Sequence, residues 1–279
     1  MSNRFCLLIL LLLAGCATSS RAPSPAIDQA LTLNQKAAAA FAKQNYPLAL
    51  QLYQEAVRVH STVENTEGIA INLLNVAATY RALGQHELAH RTLDAAFALR
   101  RLAAPTGLLA EAAYQHALLY FDENQTVAAT DWLVKATGCC PDNACAIAGK
   151  LQNLRSRMAL ARGETAHAIV LADQALSLNR ARNDELEIAN SLRLLGEART
   201  HTGEFAAARA RFNEALALDK TLGLSRKVAA DLLGIGTALR GEHKPAEAVE
   251  YFHRAFTVSD AANDTAGKEL ATKLIKEVK

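Results

Sequence analysis

A triplet of residues at i, i+4 and i+7, small at both ends, recurs six times along this 279-residue chain. The copies are Ala49/Tyr53/Ala56, Ala89/Leu93/Ala96, Ala129/Leu133/Ala136, Ala168/Ala172/Ala175, Ala208/Phe212/Ala215 and Ala248/Phe252/Ala255. Their first members lie 40, 40, 39, 40 and 40 residues apart. Positions i, i+4 and i+7 share one face of a helix. A fixed period of this length builds a repeat array, in which each unit buries its apolar face against its neighbours. Alanine favours helix and lets two backbones approach closely, and the bulky middle residue fills the space beside that contact. Twelve residues before each first alanine stands another small residue: Ala37, Ala77, Ala117, Ser156, Gly196 and Gly236. Each unit is therefore a helix A, a turn and a helix B.

The period and its breakers predict helix pairs over 27–43 and 47–60, 66–83 and 86–101, 106–123 and 126–137, and 144–161 and 165–179. Two further pairs cover 184–201 and 205–220, then 225–240 and 245–261. Gly84, Gly163 and Gly203 punctuate the A-to-B turns, with Gly241 and Pro245 doing so in the last unit. A final helix over 264–279 carries Leu270, Leu274 and Val278 on one face and caps the open end of the array. The expected fold is an all-α solenoid of six helix-turn-helix units with a C-terminal capping helix, spanning 27–279.

Asn75-Val76-Ala77, Tyr80, Leu83-Gly84, Ala89 and Ala96 carry the spacing of a known family, as do Leu192, Leu195-Gly196, Gly203, Phe205, Ala208, Phe212 and Ala215. With Pro141 at the end of the third unit, the chain resembles the tetratricopeptide repeat family over roughly residues 30–262, in a variant about 40 residues long instead of the usual 34. The resemblance implies a right-handed solenoid whose A helices line a concave groove for a protein or peptide partner. Counted in the family's ligand-contacting positions, the groove residues are Arg81, Tyr114, Phe121, Lys150, Asn153, Arg157, Asn190, Arg193, Glu197 and Arg240. Arg81, Lys150, Arg157, Arg193 and Arg240 fall on one stripe, so an acidic partner segment is expected. Tyr114 and Phe121 would anchor it, and Asn153 and Asn190 would hold its backbone.

The N-terminus has one basic residue, Arg4, then an apolar run from Phe5 to Leu13, the length of a signal-peptide core. Leu13-Ala14-Gly15-Cys16 resembles the bacterial lipobox, which implies lipidation of Cys16 over a leader of residues 1–16. Residues 17–26, rich in Ser and Pro, read as a flexible tether. No Asp follows Cys16, and the expected address is the inner leaflet of the outer membrane, facing the periplasm. Removing residues 1–15 takes away one of 30 basic and none of 28 acidic residues, leaving 29 against 28. A net charge of +1 excludes the basic excess that nucleic acid demands.

His86-Glu87-Leu88-Ala89-His90 matches H-E-x-x-H, in which two His at i and i+4 share a metal and the Glu is the base. The repeat register places His86 where unit five has Phe205, and no third ligand stands at a family spacing. A zinc metallopeptidase using His86, Glu87 and His90 is thus the minor alternative to a non-enzymatic adaptor without cofactor or metal. Cys139, Cys140 and Cys145 cluster between units three and four; in an oxidising compartment Cys145 is expected to pair with Cys139 or Cys140. The function read from the chain is a lipid-anchored envelope scaffold, with a pilotin-like type IV pilus or secretin assembly factor as the alternative. The sequence sets no oligomeric state.

Overall fold

The computed structural model describes residues 24–141 and 145–278. The apolar leader, the acylation candidate Cys16 and the tether up to residue 23 lie outside the described residues. Among the described residues thirteen α-helices follow one another: α1 (Pro25–Ala42), α2 (Tyr46–Thr62), α3 (Thr66–Ala82), α4 (His86–Ala98), α5 (Thr106–Asp122), α6 (Thr126–Gly138) and α7 (Ala148–Ala161). They continue as α8 (Thr165–Ala181), α9 (Glu185–His201), α10 (Phe205–Thr221), α11 (Ser225–Gly241), α12 (Pro245–Ala261) and α13 (Thr265–Val278). Each helix packs on the next, and every A helix from α3 onward also meets the A helix after it. This is the expected all-α solenoid of six helix pairs plus a terminal helix, α13.

Most predicted boundaries agree to within a residue or two, and the departures have local causes. Helix α1 starts at Pro25, inside the expected tether, because Ser24 caps it by accepting from the Ile27 amide at 3.4 Å. Helix α4 stops at Ala98 and tightens into a 3-10 turn over Leu99–Leu102, which Ala103 ends with φ 55°. Helix α7 begins at Ala148, four residues late, after a disulfide between Cys140 and Cys145 that holds their Cα atoms 5.2 Å apart. The pairing left open by the sequence is thus Cys140 with Cys145; Cys139 is a free, half-buried thiol whose pKa burial pushes up. In the last A-to-B turn the left-handed residue is His243 (φ 60°), not Gly241. Gly241 closes α11 against the Phe205 ring, where a Cβ would come within 2.4 Å.

Complementary size holds each pair together. Phe212 of α10 fits between Gly196 of α9 and Gly234 of α11, whose hypothetical Cβ atoms would approach its ring to 2.8 and 2.5 Å. Phe252 of α12 lies on Gly236 of α11 in the same way. Where the large residue is missing, at Ala172, the facing residue is Ser156, and its hydroxyl donates to the Ala168 carbonyl at 2.8 Å.

A second repeating position joins one unit to the next. Four residues beyond the second alanine stand His60, Cys140, Asn179, Asp219 and Ser259, all buried, and in unit two the exposed Arg100. His60 and Asn179 pack over Gly68 and Gly149 respectively, closer than any Cβ would permit. Twelve residues after His60, Asn179 and Asp219 come buried Asn72, Ser191 and Asp231 on the following A helix. Asn179 Nδ2 donates to the Ser191 hydroxyl at 3.1 Å and to the Glu187 carbonyl at 3.2 Å. The Asn179 contacts satisfy polar groups that would be costly to bury alone, whereas Asn72 Oδ1, Asp219 Oδ1 and Ser259 Oγ are buried without a hydrogen-bond partner.

Candidate functional site: the concave groove

The A helices α3, α5, α7, α9 and α11 line a groove made of two adjoining cavities. One, about 400 Å³, is largely apolar, with Phe41, Ala77, Ala78, Ala82, Leu93 and Tyr114 on its walls. The other, about 420 Å³, is polar, with Asn153, Arg157, Asn190, Arg193, Glu197 and Lys227. Arg81, Tyr114 and Leu118 border both, so the two form one channel across units one to six.

Seven of the ten expected groove residues line it: Arg81, Tyr114, Asn153, Arg157, Asn190, Arg193 and Glu197. Phe121 and Lys150 stand beside it, the first with the Arg157 guanidinium 5.0 Å over its ring, the second with its ammonium 5.9 Å from the Tyr114 ring. Arg240 reaches Glu277 of α13 at 3.0 Å and lines neither cavity. Lys227, which the family positions did not include, lines the polar section.

The cationic stripe is not a free positive surface. Arg81 and Arg157 share Asp122, at 2.6 and 3.2 Å. Lys150 holds Glu111 at 3.2 Å, and Arg193 holds both Asp219 and Asp231, the latter at 2.7 Å. Asn153 is spent inside the protein: Nδ2 donates to the Glu187 carboxylate at 2.9 Å, and Oδ1 lies 2.9 Å from the Ser191 hydroxyl. Asn190 keeps its amide NH2 without a hydrogen bond among the described residues, while its Oδ1 accepts from Lys227 Nζ at 2.8 Å and from the Arg193 guanidinium at 3.2 Å. Glu197 is exposed to solvent within the groove walls; partial desolvation raises its pKa against the pull of Arg193, Arg157 and His201. Burial likewise raises the pKa of Tyr114, helped by Glu187 and Glu111.

The H-E-x-x-H residues sit elsewhere, at the start of α4. Glu87 is exposed and paired with Arg91 at 3.2 Å. His86 Nδ1 and His90 Nε2 instead close on Glu123 of the next unit, at 3.1 and 3.2 Å. Among the described residues no group of three or more His, Cys, Asp or Glu is arranged to hold a metal ion. The His90 ring packs at a tilt on Tyr120 and His116, and His116 on Trp132, with centroids 4.0–4.8 Å apart. Burial, with His90 and Lys135, pushes the His116 pKa down to about 3 and keeps it neutral. The arrangement is a packed aromatic seam around His90, with Glu87 turned to the exposed side of α4.

Residues 28–102 match the tetratricopeptide repeat family. No curated protein matches the chain significantly. Among solved structures, the chain is similar to one from the Cut9–Hcn1 hetero-tetramer of APC/C, with a TM-score of 0.70, 16% identity and 90% of this chain covered. It spans 43% of that chain's length. It is also similar to a Rap protein complexed with competence and sporulation factor, at TM-score 0.64 and 12% identity, covering 90% of this chain and 74% of that one. A third similar structure is PilW, a type IV pilus biogenesis factor, at TM-score 0.59 and 14% identity, with 87% and 98% covered. At these identities the likeness establishes a tetratricopeptide-type fold. Among the described residues no helix is long and apolar enough to cross a membrane.

Proposed function

We propose that this protein is a lipid-anchored envelope adaptor that holds an extended or helical segment of a partner protein in its concave groove. The observation that carries this is the single channel across units one to six, apolar at the N-terminal end and polar toward α11. Such a channel offers apolar anchoring at Tyr114 and Leu118 and polar orientation beyond them, the combination that peptide grooves use. The partner segment should carry an apolar stretch followed by a carboxylate-bearing one that meets Arg157 and Lys227. Because most stripe cations already have acidic partners, salt should weaken binding only modestly. The Leu13–Cys16 motif supports an acyl anchor, and the disulfide fits an oxidising compartment.

One experiment tests both halves. A photo-crosslinking residue replaces Leu118 in the groove or exposed Val170 outside it, in intact cells, with and without Cys16→Ser. A discrete adduct from position 118, sedimenting with membranes only when Cys16 is intact, is the expected outcome. The same adduct from position 170 would move the binding surface off the groove, and membrane retention of Cys16→Ser would remove the anchor. A pilus or secretin assembly role is the second reading. The nearly end-to-end match with PilW, 87% of this chain and 98% of that one, favours it. A secretin subunit in the position-118 adduct would select it.

A further inference from the structure

Behind the polar end of the groove lie two carboxylates that peptide seating leaves unexplained. Asp219 of α10 and Asp231 of α11 are both fully buried, and both bind the Arg193 guanidinium. One guanidinium cannot neutralise two carboxylates. Asp219 Oδ1 is buried with no hydrogen-bond partner. On the groove side stands Lys227, whose ammonium has no carboxylate within 4 Å among the described residues and rests on Asn190 Oδ1 at 2.8 Å.

We propose that Lys227 and the Asn190 amide form a subsite for a carboxylate of the bound peptide, and that a proton held between Asp219 and Asp231 decides whether Lys227 is free to serve it. The inference rests on the groove being the peptide site. With the proton in place the pair carries one negative charge, Arg193 balances it, and Lys227 stays at the groove. Without the proton the pair carries two, and Lys227, already within the field of both carboxylates, is a cation left to answer the second. Drawn inward toward the orphan Asp219 oxygen, it leaves the subsite.

The surroundings favour this balance. Helix α9 presents Glu187, Asn190 and Arg193, α10 presents Asp219, and α11 presents Asp231 and Lys227; no side chain of α12 or α13 makes an ion pair with the cluster among the described residues. Burial pushes the Asp231 carboxyl up to about 7, Arg193 opposing and Asp219 assisting. Burial and Arg193 push Lys227 down, against Asp219, Glu187 and Asp231. The exchange therefore falls near neutral pH.

The test uses the folded chain and a fluorescein-labelled Leu-Leu-Ala-Glu-Glu peptide, with its Gln-Gln counterpart as control, at pH 6 and pH 8. A peptide Glu is ionised at both values, so any change belongs to the protein. The Glu-Glu peptide should bind about tenfold more tightly at pH 6, the size of one charge-assisted hydrogen bond. Asp231→Asn should keep the tighter affinity at pH 8, and Lys227→Met should bind weakly at both. Carbon-13 spectra of the Asp carboxyls should show one titrating near neutrality, and Asp219→Asn should abolish that step if Asp231→Asn does not fold. The proposal is overturned by a pH effect that survives in a folded Asp231→Asn or Asp219→Asn variant. Equal binding of the Glu and Gln peptides, binding of neither, or indifference to Lys227→Met would overturn it too. Binding that is lost in Tyr114→Ala but unaffected by Lys227→Met would retain the groove and discard this subsite.

Discussion

Between α6 and α7 the stack is fastened by a covalent bond, Cys140 to Cys145. Between α10 and α11 it is fastened by one guanidinium between two buried carboxylates. Both fastenings start from the same repeat position, four residues past the second alanine. The covalent one acts on the unfolded chain, by closing a short loop, and does not depend on the polarity around it. The ionic one acts in the folded state, and each member is tolerable only while the others are present. The first junction should therefore answer to reductant and the second to charge and pH.

Removing one ion is the harshest way to break the comparison. Arg193→Met leaves Asp219 and Asp231 buried without a counter-ion and should cost about 3–5 kcal/mol in urea unfolding. The triple change Arg193→Met, Asp219→Leu, Asp231→Leu should recover most of that loss, because no buried charge remains. If the triple variant is as unstable as the single one, the cluster contributes packing and not charge balance. Replacing Cys140 and Cys145 together by Ala should cost less, about 2 kcal/mol for so short a loop, and wild-type protein in reductant should match it. An Arg193→Met protein should show the same increment on reduction, since the two junctions share no residue.

Smallest is the pH effect. A folded Asp231 pKa near 7, above the ordinary value of 3.8, means that the native state binds the extra proton across this interval. Stability is then fullest below about pH 4 for this group and declines as pH rises toward and through 7. Between pH 6 and pH 8 the decline is at most about 1.4 kcal/mol, one proton over a tenfold change in its equilibrium. Asp231→Asn should flatten the profile there, whereas the Cys140/Cys145 variant should keep it. A flat wild-type profile would mean that Asp231 stays ionised.

The fold was legible because one residue class repeats with one period. The triplets and the small residues twelve positions earlier settle which helix faces meet, and the Gly196–Phe212 and Gly236–Phe252 contacts follow that pattern. The late start of α7 was missed although a Cys145 bridge was expected, because the helix limits were drawn from the period and breakers without the bond that holds Cys145 to Cys140. Groove membership was mostly readable from register, as Tyr114, Arg157 and Asn190 demonstrate, but its charge was not. Arg81, Lys150, Arg157, Arg193 and Arg240 find carboxylates roughly one repeat away, on the neighbouring A helix or, for Arg240, on α13, and Arg193 finds a second on α10. Counting charges along one face at a time misses a partner on the next. Lys227 and Asp231 escaped for a related reason: the period was applied to small residues and not to buried polar ones. His60/Asn72, Asn179/Ser191 and Asp219/Asp231, each twelve apart, were the available signal.

Those pairs also act as addresses. Helices so alike in length and in their Ala-rich faces could dock out of turn, α8 onto α11 or α10 onto α9 of another copy. Asn179 set against Asp231 would leave Arg193 with one carboxylate, and Asp219 set against Ser191 would strand a charge beside Gly149. For Asn179/Ser191 and Asp219/Asp231 each wrong neighbour forfeits a bond that the right one makes. Assembly order is thus written in a few buried polar atoms, and units of this chain cannot be shuffled, deleted or duplicated without rewriting the lock on both sides of the cut.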